Sequence, residues 1–260
     1  PAFLFSLRRP FSSVSIIAPS WRFCIRILPQ LVPRSGLPLS YRAMNVVDAV
    51  NARLSVRQFL STPVSDDQLR SLLADASRSP SGGNVQPWRI YVVNGESLTR
   101  MREFLTTQPP VEAPEYDVYP KSITEPYRTN RFTIGEQMYA TLGIAREDKP
   151  GRLRQFAHNN DFFSAPAAMF CFIDRQMGPP QWSDLGMFLQ TFMLLAVENG
   201  LATCAQEYWS SRHQAVSTFV GAPENEMLFC GMSIGYADTA APINSLRAER
   251  MPVDEWARFI

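Results

Sequence analysis

Pro80-Ser81-Gly82-Gly83-Asn84-Val85-Gln86-Pro87-Trp88 is the stretch on which the reading of this chain turns. Gly82 and Gly83 carry no Cβ, so the backbone here can approach a ligand closely. Asn84 and Gln86 each offer a donor and an acceptor, which suits the edge of a flat polar ring. An ordinary Gly-Asn turn ahead of a strand uses the same residue types, but so many amides between prolines and a tryptophan is an unusual density. The loop also divides two patterns of different period. Before it, Leu69, Leu72, Leu73 and Ala76 recur at helical spacing behind Ser65, with Asp66 and Asp67 in the first turn. After it, residues 88–93 alternate as a strand.

Working outward, Asn94-Gly95 is a turn and residues 97–105 a helix. Val46, Val47, Val50 and Leu54 share one face of a helix that opens near Met44. Residues 106–132 hold Pro109, Pro110, Pro114, Pro120 and Pro126, which predicts a long irregular excursion. Its Tyr116, Tyr119 and Tyr127 favour an ordered cover over a linker. Helices follow over 133–142 and 152–159. Residues 167–173 are apolar without a break and read as a buried strand. Residues 183–199 are apolar nearly all round, which predicts a central helix in a core or at a subunit interface, ended by Gly200. Residues 201–206 leave it as a loop or strand, 212–220 are helical, 227–236 are a strand, and Arg250-Met251-Pro252 leads into a last short helix. The strands are few, so the class is α+β, a small central sheet wrapped by helices.

At 260 residues and 45% apolar, the chain can bury the core of one substantial domain, which excludes a disordered protein. Charge is unevenly spread. Residues 1–43 carry Arg8, Arg9, Arg22, Arg26, Arg34 and Arg42 and no acid or lysine; taking these from the formal +1 leaves the body at about −5. The body therefore has no basic field for nucleic acid. Two readings of 1–43 stay open: an organelle (mitochondrial) transit peptide, or upstream sequence of a longer precursor. Either way the folded domain is expected over 44–260. Cys24, Cys171, Cys204 and Cys230 form no C-x-x-C pair and only His158 and His213 accompany them, so we expect reduced thiols in a cytoplasmic protein and no metal site. No uncharged apolar run is long enough for a membrane span.

Two further segments suit an anion. Arg53, Ser55 and Arg57 stand at i, i+2 and i+4 just after the first helix, where two planar guanidinium groups can converge on a phosphate; a solvated helix end fits them too. Arg247 and Arg250 lie three apart near the C-terminus, where a surface charge run is the competing reading.

Taken in order, Arg53-Leu54-Ser55-Val56-Arg57, the 80–88 loop, Gly200-Leu201-Ala202-Thr203-Cys204-Ala205-Gln206-Glu207 and Arg250-Met251-Pro252 resemble the nitroreductase family over 44–260. Residues 127–207 are similar to the branch that reduces nitroaromatic acids and related nitroarenes. The resemblance implies a nitroreductase-like homodimer with FMN at the subunit interface. It implies NADH or NADPH as donor and an electron-poor small-molecule acceptor served in a ping-pong exchange. It assigns Arg53, Ser55, Arg57 and Arg250, helped by Arg247, to the FMN phosphate and ribityl end. Asn84 and Gln86 go to the polar atoms of the ring or ribityl chain, and Gln206 to the ring-side segment. Tyr127, Arg128 and Arg131 become candidates for the acceptor pocket. No acid–base side chain is expected, because the flavin carries the chemistry. Other reductive FMN chemistry (dehalogenation, enone reduction) and a non-catalytic flavin-binding role are the rivals. Two departures stand out: Leu54 replaces a histidine of some relatives, and the Cys204 segment lacks a Pro-x-Glu-Gly pattern.

Overall fold

A computed structural model describes residues 44–260; the basic segment 1–43, with both readings of it and Cys24, lies outside the described residues. Four strands make one antiparallel sheet: β1 (Trp88–Asn94), β2 (Ala167–Asp174), β3 (Ala202–Gln206) and β4 (Glu226–Gly235), in the order β1-β2-β4-β3. Eight α-helices surround it: α1 (Val46–Ala52), α2 (Asp66–Ala76), α3 (Glu96–Thr106), α4 (Tyr127–Thr141), α5 (Lys149–Ala157), α6 (Pro179–Glu198), α7 (His213–Val220) and α8 (Val253–Trp256).

The unbroken apolar run of β2 has a direct physical reason. Successive side chains of a strand point to opposite faces, and both faces of β2 are covered. Ala167, Met169, Cys171 and Ile173 pack with α2 and α6 through Leu69, Leu72, Leu185, Phe188 and Phe192. Ala168, Phe170 and Phe172 pack on the other side with Leu98, Met101 and Leu105 of α3, Val216 of α7, and Trp209. Each large side chain so buried contributes about 1.5–3 kcal/mol. The ends of α2 follow the sequence signal: Ser65 Oγ accepts the Gln68 N–H at 3.1 Å, leaving fewer orphan donors in the first turn.

Two expectations need correction. Helix α1 forms but stops at Ala52, so Leu54 does not share its face; Val46, Val47 and Val50 are 72, 65 and 49% exposed, and Ala49 makes the buried contact. The small alanine lets α1 lie close beside α6, and the valines are left over on the far side. The excursion is also shorter than 106–132. Helix α4 starts at Tyr127, because the Glu125 carboxylate accepts the Thr129 N–H at 3.1 Å and the Arg128 Nε–H at 2.6 Å. Tyr127, Arg128 and Arg131 therefore sit on a helix. The rest of the excursion is tied down: the Glu112 carboxylate accepts the Gln214 and Ala215 N–H groups, Glu115 pairs with Arg175 at 2.6 Å, and the Tyr116 hydroxyl donates to the Phe229 carbonyl.

Candidate functional site

Helix α1 ends at Ala52, and Arg53 has extended angles (φ −61°, ψ 126°). The chain then runs as an extra strand beside β3. Ser55 bridges Thr203 and the Val56 N–H donates to the Thr203 carbonyl at 3.0 Å. In an extended segment the i, i+2, i+4 spacing of Arg53, Ser55 and Arg57 places them on one side, while Val56 goes into the core at 1% exposure. The C-terminal segment is stitched to this strand by one side chain. Asn244 Oδ1 accepts the Arg57 N–H at 2.8 Å, and Asn244 Nδ2 donates to the carbonyls of Gln58 (2.8 Å) and Asp238 (2.9 Å).

The result is a cavity of about 570 Å³ whose lining includes Arg53, Ser55, Arg57, Arg247 and Arg250 and contains no Asp or Glu. Among the described residues none of these four arginines has an ion pair with a carboxylate. Their contacts are to carbonyls. Arg57 Nη1 donates to Ser55 O at 3.3 Å, Arg250 Nη1 to Ala248 O and Glu249 O at 2.9 Å, and Arg247 Nη1 to Asn51 O and Ala52 O, the negative end of α1. Burial, and then the nearby Arg250 charge, pull the Arg53 guanidinium below its ordinary pKa. Like charges held together without a counter-ion make a site for a multivalent anion.

A second cavity, about 430 Å³, shares Arg57 with the first and runs past Cys204, Ala205, Gln206 and Glu207 to Tyr119, Arg131, Tyr139 and Phe163. Its floor is rigid. Gln206 is 3% exposed with both ends of its amide engaged: Nε2 donates to the Asn159 carbonyl and side-chain oxygen at 3.1 Å, and Oε1 accepts the Ser233 hydroxyl at 2.7 Å. The Gln206 side-chain amide is thus committed within the protein. The Cys204 thiol is buried, and burial raises its pKa although Arg57 and Arg53 pull the other way, so it stays a thiol. Beneath the cavity, Phe162, Phe163 and Ser164 are three successive non-glycine residues with φ of 54°, 56° and 63°. Such angles cost about 1–2 kcal/mol per residue. Burial of both phenylalanines and the Arg102 bonds to the Asp161 and Ala165 carbonyls offset that cost.

Asn84 and Gln86 lie elsewhere. Both are exposed, adopt positive φ (56° and 50°), and line neither cavity. Their loop is pinned from behind, with the Gly82 N–H on the buried Asp184 carboxylate at 3.3 Å and the Gln86 N–H on Ser81 Oγ at 2.9 Å. Tyr127 and Arg128 also stand off, Tyr127 at 63% exposure and Arg128 paired with Glu125. Arg131 alone of the three α4 candidates lines the second cavity. Asn244 and Asn159 are supports of these cavities that the sequence did not reveal.

Residues 50–236 match the family model described as Nitroreductase family. The chain belongs to the nitroreductase family. Among curated members, it is 35% identical over 217 residues to a nitrobenzene nitroreductase of Ectopseudomonas oleovorans, covering 82% of this chain and 96% of that one. It is also 35% identical to a 4-nitrobenzoate reductase of Pseudomonas putida, covering 82% and 95%. Of solved family structures, the FMN and NADPH-dependent nitroreductase NfnB of Sphigopyxis sp. strain HMH superposes with a TM-score of 0.80 at 42% identity, covering 84% of this chain and 99% of that one. The fold is accordingly the nitroreductase-like fold. Among the described residues no helix is long and apolar enough to cross a membrane.

Proposed function

We propose that this nitroreductase-family chain is an FMN-dependent NAD(P)H oxidoreductase that reduces nitroaromatic or similarly electron-poor small molecules. The observation that carries the proposal is the cavity lined by four arginines and no carboxylate, which shares Arg57 with a second, aromatic-rich cavity. A phosphate suits the first, and a flat ring suits the second. Arg53, Ser55, Arg57 and Arg250, with Arg247, are the residues to hold the FMN phosphate and ribityl end. Bound FMN supplies the redox chemistry, taking reducing equivalents from NADH or NADPH and passing them to the acceptor. The chain's own part is to position, to charge and to exclude water. The Ala205–Glu207 backbone, fixed by Gln206, forms a stiff wall for the ring, and the arginines favour an anionic ligand over a neutral one.

The same proposal requires two copies. Asn84 and Gln86 are exposed and remote from their own chain's arginine cavity, while Val46, Val47 and Val50 are uncovered beside α6. A homodimer that buries α1 and α6 brings the 80–86 loop of one copy to the cavity of the other. Action in the cytoplasm is part of the proposal, in keeping with the buried free thiols Cys171, Cys204 and Cys230.

The test is direct. Purified protein, or protein reconstituted with FMN, is expected to be yellow and dimeric and to oxidise NADH or NADPH when given nitrobenzene or 4-nitrobenzoate. Protein that takes up no FMN sinks the proposal; yellow protein without turnover leaves only a flavin-binding role.

A further inference from the structure

Most cations near the two cavities are already committed. Arg53, Arg57, Arg247 and Arg250 belong to the phosphate end. Arg128 is held by Glu125 through two contacts of 2.6 Å. Arg152 is held by Glu136 through two contacts, of 2.6 and 2.8 Å. Arg131 differs. It lies on α4 with its guanidinium carbon 4.2 Å above the ring of Tyr119, and it has no ion pair with a carboxylate among the described residues. Stacking on a ring fixes the plane of a guanidinium but uses none of its five N–H donors. Arg131 is thus oriented in advance with no carboxylate engaging its donors, a state that normally costs side-chain entropy to reach.

Its position gives those donors a use. Arg131 and Tyr119 together line the ring-side cavity of about 430 Å³ and also a third, of about 910 Å³, that opens between α4 and the Met251–Trp256 segment. They border both cavities. Of the two cations lining the ring-side cavity, Arg57 is shared with the phosphate end, which leaves Arg131 as the cation available to an incoming anion there, beside the single lining carboxylate Glu207. Neutral molecules gain little from such a place; a carboxylate or phosphate gains a charge-assisted pair in a fixed fork geometry.

We propose that Arg131 is the anion-recognising residue of the substrate entrance, docking the carboxylate or phosphate group that an incoming molecule carries. The inference rests on the reductase reading above. Two sources share the chemistry: an acidic arene, and the phosphate groups of the nicotinamide donor, including the extra one of the NADP form.

Calorimetric titration of the FMN-loaded dimer distinguishes them. One arm compares benzoate with the neutral benzamide, and the other compares NADP+ with NAD+. The wild-type protein is expected to prefer the more anionic member in at least one arm. Arg131→Gln, which keeps a polar side chain but removes the charge, is expected to lower that preference about fivefold, and Arg131→Lys to restore part of it. A loss confined to the first arm identifies the arene carboxylate, and a loss confined to the second identifies the nucleotide phosphate. The ratio kcat/KM for 4-nitrobenzoate over nitrobenzene is expected to follow the first arm. Unchanged preferences in Arg131→Gln in both arms, or no preference in the wild type, overturn the inference. Failure of the wild-type chain to load FMN is a different result, and it refutes the reductase proposal instead.

Discussion

Replacing Asn244 with alanine tests how the phosphate cavity is assembled. The side chain is half-buried and makes three hydrogen bonds, accepting from the Arg57 N–H and donating to the Gln58 and Asp238 carbonyls. Truncation leaves one donor and two acceptors of the main chain without these partners. At about 1 kcal/mol per lost bond, with water recovering some of it, the cost is about 2–3 kcal/mol. For a domain of this size each kcal/mol moves Tm by about 2–4 °C, so the flavin-free protein is expected to melt about 4–12 °C lower. The second effect is on the ligand. Asn244 holds the strand that carries Arg57 against the segment that carries Arg247 and Arg250, so its loss lets the two halves of the cluster drift. FMN affinity, followed by quenching of flavin fluorescence, is expected to fall about tenfold or more. Asn244→Asp keeps the acceptor for Arg57 but removes both donors and adds a negative charge beside the cluster, so it should bind FMN more weakly still. If Asn244→Ala melts within about 1 °C of wild type and binds FMN equally well, the stitching role assigned to this residue is wrong.

Arg57→Ala removes a guanidinium shared by both cavities and should weaken FMN binding about 10–100-fold, by the worth of a charge-assisted contact; an unchanged titration curve contradicts the assignment. Gly231→Ala places a Cβ 2.3 Å from Cδ1 of Trp209, a fully buried ring stacked on Phe162 at 4.5 Å. Overpacking of this kind costs about 1–3 kcal/mol, to be read as a lower midpoint in urea, and a wild-type midpoint would show that the indole moves freely. The Tyr91 hydroxyl donates to Glu226 at 2.8 Å, and burial together with that carboxylate pushes its pKa up to about 12. A pKa raised by folding adds stability that is complete below the unfolded value near 10 and is lost as pH rises towards about 12. Tyr91→Phe should therefore lose less Tm than wild type between pH 8 and about 11; equal losses count against the pair.

Much of the architecture was legible because it follows from period and chemistry. The double-sided burial of β2 is written in its unbroken apolar run, and the start of α2 in Ser65 and the aspartates that follow. The i, i+2, i+4 spacing of Arg53, Ser55 and Arg57 carried its meaning once the helix was known to stop at Ala52. The rest depended on information that no local window holds. Which side of α1 meets the core is decided by where α6 passes, which the one-face spacing of Val46, Val47 and Val50 does not tell; the structure buries Ala49. Helix α4 begins early because a glutamate outside it bonds back to its first turn, a signal hidden among prolines. Asn244 looks like any loop asparagine, and its partner Arg57 is 187 residues away in sequence. Gln206 matched the family pattern by position, yet its amide is spent on Asn159 and Ser233.

The separation of Arg57 from Arg247 and Arg250 along the chain has a bearing on the order of events during synthesis. A nascent chain that has already emerged past β1, β2 and α6 can begin to bury both faces of its sheet, since those contacts lie among residues 56–234. The phosphate cavity cannot close then, because two of its arginines and the asparagine that aligns them have not been translated. Closure of the arginine cavity therefore comes after burial of the sheet can begin. A fusion partner or truncation near residue 250 should separate folding from cofactor loading, giving protein that accumulates well and stays colourless.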